Sequence, residues 1–139
     1  MRSTIGSGRS WSRLTRVAPL ILSGFPAVAA PTLDGPFTER QAERGQAIYN
    51  DHCAECHRPD LTGALGSSLV DGAFKRSWAG KPVSDLRAWI KANMPPNAPD
   101  TLPDDQLDPI VALILMKNGV APGQTPLSKA NAGGLFPEE

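Results

Sequence analysis

An all-α fold, with helices and irregular loops gathered around one bound group, is what this sequence predicts. Three stretches, near residues 38–50, 84–93 and 103–118, combine helical spacing of apolar residues with cap or stop signals. Between the first two, residues 58–83 are rich in glycine and turn signals and hold no sustained period. Both cysteines and both histidines of the 139-residue chain fall in one short run, DHCAECHRPD, residues 51–60.

The chain begins with material unlike the rest. Arg2, Arg9, Arg13 and Arg16 precede the apolar run VAPLILSGFPAVAA, with no acidic residue among them. That pattern predicts a secretory signal peptide over residues 1–29, cut after Ala29, because Ala27 and Ala29 supply the small residues and Pro31 disfavours a cut after Ala30. Pro19, Gly24 and Pro26 break the run too often for a comfortable membrane span, so no stable membrane insertion is expected; an uncleaved amphipathic anchor is the alternative. The segment carries four of the 14 basic residues and none of the 14 acidic ones, so the exported chain keeps ten against 14, a net charge of about −4. Nucleic acid is therefore a poor partner.

Residues 30–37 read as a linker into a domain over residues 38–120. Its first helix opens at Thr38, paired with Gln41 as a capping box, and presents Ala42, Gly45, Ala47, Ile48 and Tyr49. In residues 58–83, Leu61, Leu69, Phe74 and Trp78 are the apolar anchors, with a short helical turn near Phe74 and Trp78. Ser84 caps the next helix, SDLRAWIKAN, whose Leu86, Trp89 and Ile90 form one apolar face. The last helix stops at Gly119. Pro109 within it leaves two readings open: Asp108 caps a shorter helix, or the helix kinks for want of a backbone donor. Residues 121–139 look like an extended, loosely held tail, and no internal repeat is visible.

The cysteine run decides the chemistry. Exported proteins usually oxidise their cysteines, yet a Cys53–Cys56 bridge closes almost no loop and gains little from loop-closure entropy. A zinc site lacks well-spaced ligands, and a thiol oxidoreductase would want a strand ahead of the motif. C-x-x-C-H is instead the signature of covalent haem attachment. Cysteines three apart share one side of a helical turn and can add to two vinyl groups, while His57 turns its imidazole to the iron. The cofactor predicted is one haem c, with His57 as a metal ligand; His52 reads as an incidental surface residue.

With no third histidine, the sixth ligand is a methionine, a lysine, a small molecule or nothing. Met116 ends the run IVALILM and reads as a core filler. Met94 lies in ANMPPNAP, where prolines limit the loop conformations that would pull a thioether from the iron, so Met94 is the expected second metal ligand; plain core packing is the alternative. Leu61, Leu69, Phe74, Trp78 and Trp89 would bury the ring, and Trp78 either offers its indole N–H to a propionate or fills the core.

Over residues 38–127 the sequence resembles the small single-haem class I c-type cytochromes, through GQAIYNDHCAECH, the pair Phe74 and Trp78, SDLRAWIKANMPP and a final helix closing at KNGVAPG. MPPNAP with ILMKNG is similar to the cytochromes that accept electrons from quinoprotein alcohol dehydrogenases. The resemblance implies that the first and last helices cross at Gly45 and Tyr49, and that His57 donates to a backbone carbonyl in the loop GSSL, with Ser67 the candidate. The chain departs from the family at Leu113, where an aromatic is usual, at Pro109, and at HRPD, where glycine commonly follows the histidine.

The function so implied is periplasmic electron transfer, with no substrate bound and no bond broken. Redox proteins are the expected partners, a dehydrogenase as donor and an oxidase or other protein as acceptor, met as a monomer or as an accessory subunit. An open-site haem protein, sensing gas or acting on peroxide, and a haem subunit of a larger dehydrogenase are the alternatives. Lys75, Arg76, Lys81, Arg87 and Lys91 read as a solvated face or as a patch steering an acidic partner.

Overall fold

The structure is a computed structural model and describes residues 35–138, so the expected signal peptide lies outside the described residues. Five helices follow in order: α1 Glu39–His52, α2 Ala54–His57, α3 Gly72–Trp78, α4 Val83–Asn93 and α5 Asp104–Lys117. The described residues contain no strand, only an isolated bridge between Pro82 and Leu135. The all-α prediction holds.

α1 starts where the sequence places it. Thr38 is extended, and its hydroxyl accepts from the Gln41 amide at 3.2 Å, satisfying one of the helix's unpaired donors. The Gln41 side chain does not close the box. It reaches the tail instead, donating to the Leu127 carbonyl at 2.8 Å and accepting from the Leu127 amide at 2.7 Å. Ala42, Gly45 and Tyr49 are buried as expected, whereas Ala47 faces solvent.

α5 is the axis of the core. Every residue from Leu107 to Leu115 is buried, which a helix shows only when covered on all sides. Pro109 lies inside it, and neither a shorter Asp108-capped helix nor an interruption is seen. The crossing with α1 explains Gly45: a Cβ there would come within 2.0 Å of the Pro109 carbonyl oxygen, so only glycine permits the two backbones to touch. α4 is fastened to α5 by Arg87, whose Nε donates to Asp108 at 2.6 Å, while its Nη2 lies 2.7 Å from Asp104 without the alignment of a hydrogen bond. Asp104 and Asp108, four apart, share one face of α5 and take the same cation.

Three expectations need correction. Ser84 does not cap α4; Pro82 precedes the helix, and Ser84 sits in its first turn with its amide bonded to Ala132 O at 2.7 Å. The tail has no helix but is not loose, because Leu127, Ala132 and Phe136 are fully buried. Trp89, expected on the apolar face with Leu86 and Ile90, is 48% exposed while those two are buried. No helix among the described residues is long and apolar enough to cross a membrane.

Candidate functional site

The Cys-x-x-Cys-His run is a single helical turn placed immediately after α1. Cys53 ends α1 with its amide on the Tyr49 carbonyl at 2.8 Å, and its own carbonyl accepts from His57 N at 2.9 Å, starting α2. Cys53 and Cys56 are unbridged and line the same cavity. Burial, and then the neighbouring Cys56, pushes the Cys53 thiol up to about 11. A redox-active cysteine needs the opposite shift, so Cys53 is disfavoured as a thiolate for disulfide exchange.

After His57 the chain reverses. Arg58 takes φ 62 and ψ 155, a region that glycine enters freely and other residues enter at a cost of about 1–3 kcal/mol. Here the departure from the common glycine leaves a physical trace. The loop that follows folds back onto the helical turn, with the amides of Ala64 and Gly66 both donating to the Cys56 carbonyl and that of Gly63 to the His57 carbonyl. It delivers the Ser67 carbonyl to His57 Nδ1 at 2.7 Å. A carbonyl only accepts, so Nδ1 carries the proton and Nε2 keeps its lone pair for a metal. Gly66 lies flat against the ring, where a Cβ would sit 2.6 Å from Cε1. His57 is thus held both by its hydrogen bond and by a surface that admits no side chain.

The face of this unit opens on a cavity of about 920 Å³, near the upper end of ligand-site volumes. Leu69, Phe74, Trp78, Trp89 and Met94 all reach it, together with Cys53, Cys56 and His57. Leu61 does not. It is fully buried in the core and supports the loop from behind, its carbonyl accepting from the Leu69 amide at 2.9 Å, which corrects its expected place against the ring. Four further walls come from α4 and α5: Leu86, Ile90, Ile110 and Ile114. Their i, i+4 spacing was visible in the sequence, but which stripe of two largely apolar helices faces the cavity was not. Tyr49 also reaches the cavity; its hydroxyl is buried without a hydrogen-bond partner, and burial, then Cys53 and Asp60, holds it protonated.

Trp78 and Trp89 meet edge to face at 6.3 Å, and the Lys81 ammonium lies 5.3 Å from the Trp78 ring centre. Met94 ends α4 with extended backbone and its amide on Ile90 O at 2.8 Å. The loop after it is gripped by Lys91, which donates to the carbonyls of Asp100 and Leu102 and pairs with the Asp100 carboxylate at 3.5 Å. Two members of the expected basic patch are therefore engaged internally: Arg87 with α5 and Lys91 with this loop.

The residues present fit haem c. Two thiols sit on one turn, an imidazole is oriented by a carbonyl with its second nitrogen free, a glycine lies behind that imidazole, and the cavity they face is lined largely by apolar side chains.

Comparison with known proteins agrees. In fold, the chain is similar to a chain of the sulfane dehydrogenase SoxCD from Paracoccus pantotrophus, at 21% identity and a TM-score of 0.58, over 83% of this chain and 68% of that one. No curated protein matches it. Residues 40–114, more than half of the chain, match the family model for cytochrome c oxidase, cbb3-type, subunit III. The chain belongs to that family and is a small c-type cytochrome with covalently bound haem c, a haem-based electron-transfer domain.

Proposed function

We propose that this protein is a periplasmic electron carrier with a single haem c, attached through Cys53 and Cys56 and ligated by His57 and Met94, that accepts electrons from a periplasmic dehydrogenase. The observation that carries the reading is that His57 and Met94, from separate elements, reach one cavity. When bound, the haem supplies the one-electron Fe(II)/Fe(III) couple. The protein's part is fixed position and exclusion of water. His57 is oriented by Ser67, Met94 by its place at the end of α4, and Leu69, Phe74, Leu86 and Ile110 present a dry wall that disfavours the more highly charged ferric state. Export rests on the leader expected over residues 1–29. A donor of the quinoprotein alcohol dehydrogenase kind rests on the resemblance of MPPNAP and ILMKNG.

Lys75, Arg76 and Lys81 remain for steering an acidic partner, since Arg87 and Lys91 are occupied. A second reading, a haem subunit held permanently in a larger dehydrogenase, is favoured by the half-exposed Trp89 and the 86% exposed Leu65 at the cavity rim, apolar surface that a permanent partner would cover. The fold it shares with a chain of a sulfane dehydrogenase is in keeping with that. Co-purification of a partner from the native source separates the two readings.

The test is an optical spectrum of the oxidised, exported protein beside its Met94→Ala variant. The wild type should show the methionine-sulfur charge-transfer band and a mass increased by one haem. The variant should keep the haem, lose the band and fall in potential by on the order of 100 mV, well inside the roughly 0.8 V that axial ligands span. A wild-type spectrum without the band would overturn Met94 ligation and favour the open-site reading.

A further inference from the structure

We propose that the C-terminal segment, residues 127–138, is a strap that holds one wall of the haem cavity, with Phe136 as its positioning residue. The inference rests on the haem reading above but concerns a part of the chain beyond residues 40–114, where the family match ends.

The strap begins at Leu127, buried and clamped by both polar atoms of the Gln41 side chain. It then crosses the start of α4. That helix has no side-chain cap, and its first two amides, Val83 and Ser84, donate instead to the carbonyls of Gly134 at 2.8 Å and Ala132 at 2.7 Å. Helix N-termini leave such donors unpaired, and here the tail backbone is what satisfies them. Two more backbone bonds lock the approach to α4, Phe136 N to Lys81 O at 2.8 Å and Gly80 N to Phe136 O at 3.1 Å.

Phe136 itself is 1% exposed and is not a wall of the cavity. Its ring meets Phe74 edge to face at 5.9 Å, and Phe74 in turn lies 6.3 Å from Trp78. Phe74 and Trp78 are walls. Strap and cavity are thus joined by a continuous row of rings, and by α4, whose first turn the strap holds and whose last residue adjoins Met94. Removing the Phe136 ring leaves space directly behind Phe74, and a loosened wall admits water, which stabilises ferric iron.

The experiment compares holoprotein carrying Phe136→Ala with Phe136→Leu and with Phe37→Ala, a buried position that does not line the cavity. Phe136→Ala should retain one covalent haem by mass yet shift the midpoint potential downward and weaken the methionine-sulfur band. Phe136→Leu should recover most of both, and Phe37→Ala should lower the melting temperature with the potential unmoved. An unchanged potential in Phe136→Ala, or an equal drop in Phe37→Ala, overturns the proposal. Amide hydrogen exchange of the unaltered holoprotein decides independently if Phe136→Ala does not accumulate. Val83 and Ser84 amides protected like those of α5 support the strap, and amides exchanging like exposed loop refute it. A wild type without haem would count against the functional reading alone, and the strap is then judged by the same exchange measurement on the unaltered chain as purified, with the same two outcomes.

Discussion

The histidine side and the methionine side of the cavity are built by different means. On the histidine side, the restraints on the imidazole come from nearby in the chain: Ser67 is ten residues away, Gly66 lies beside it, and the loop between folds onto carbonyls of the same helical turn. On the methionine side, Met94 depends on remote restraints. Arg87 fastens α4 to Asp104 and Asp108, Lys91 grips the loop beyond Met94, and tail carbonyls hold the first turn of α4. Local restraints form with the motif itself, whereas remote ones exist only once the chain has folded. The methionine side should therefore relax first under stress, with the haem still attached.

The largest effect should follow from breaking the histidine side. Gly66→Ala places a methyl group 2.6 Å from the imidazole, where backbone and ring must both shift, at about 1–3 kcal/mol of overpacking strain. We expect a sharp fall in haem-loaded protein and a lower denaturation midpoint, and a variant with wild-type yield and midpoint would contradict the geometry. A smaller change in the opposite direction is expected at Arg58. Glycine there relieves the strain of φ 62 and gives back part of it as unfolded-chain entropy, for a net gain of about 1 kcal/mol in chemical denaturation. The potential should not move, because the Arg58 side chain is not a wall of the cavity.

The smallest expected effect is on the methionine side. Lys91→Met removes the grip on Asp100 and Leu102, and the contacts are partly solvated, so about 0.5–1 kcal/mol should be lost. On heating, the methionine-sulfur band of this variant should fade before the helices melt, while in the wild type the two stay closer together. Simultaneous loss in both proteins would erase the contrast between the two sides.

Legibility follows the same division. The Thr38 cap and the haem motif could be placed from sequence because each lies within a few residues, and the Ser67 carbonyl, which only the family resemblance suggested, reaches His57 from one short loop away. Ser84 misled for a physical reason. A serine ahead of an apolar run is a good local cap signal, but the amides it would serve are taken by Gly134 and Ala132, which nothing nearby announces. Lys91 and Arg87 looked like surface charge because spacing cannot tell a solvated cation from one folded onto carbonyls or paired with carboxylates. Leu61 looked like a haem neighbour because it is an apolar anchor of a loop expected to wrap the ring, whereas the chain turns there with φ 66 and buries it in the core.

By itself the sequence determined that the chain is helical, that it carries a covalently attached haem and that one imidazole sits beside the two cysteines, because those features rest on hydrogen bonds and bonds between near neighbours. Only the tertiary structure decided which helical faces wall the cavity, that the tail closes over α4, and which cations remain free. Those outcomes depend on contacts between residues far apart in the chain, and such contacts are selected by packing the whole core at once, which no local pattern of residues encodes.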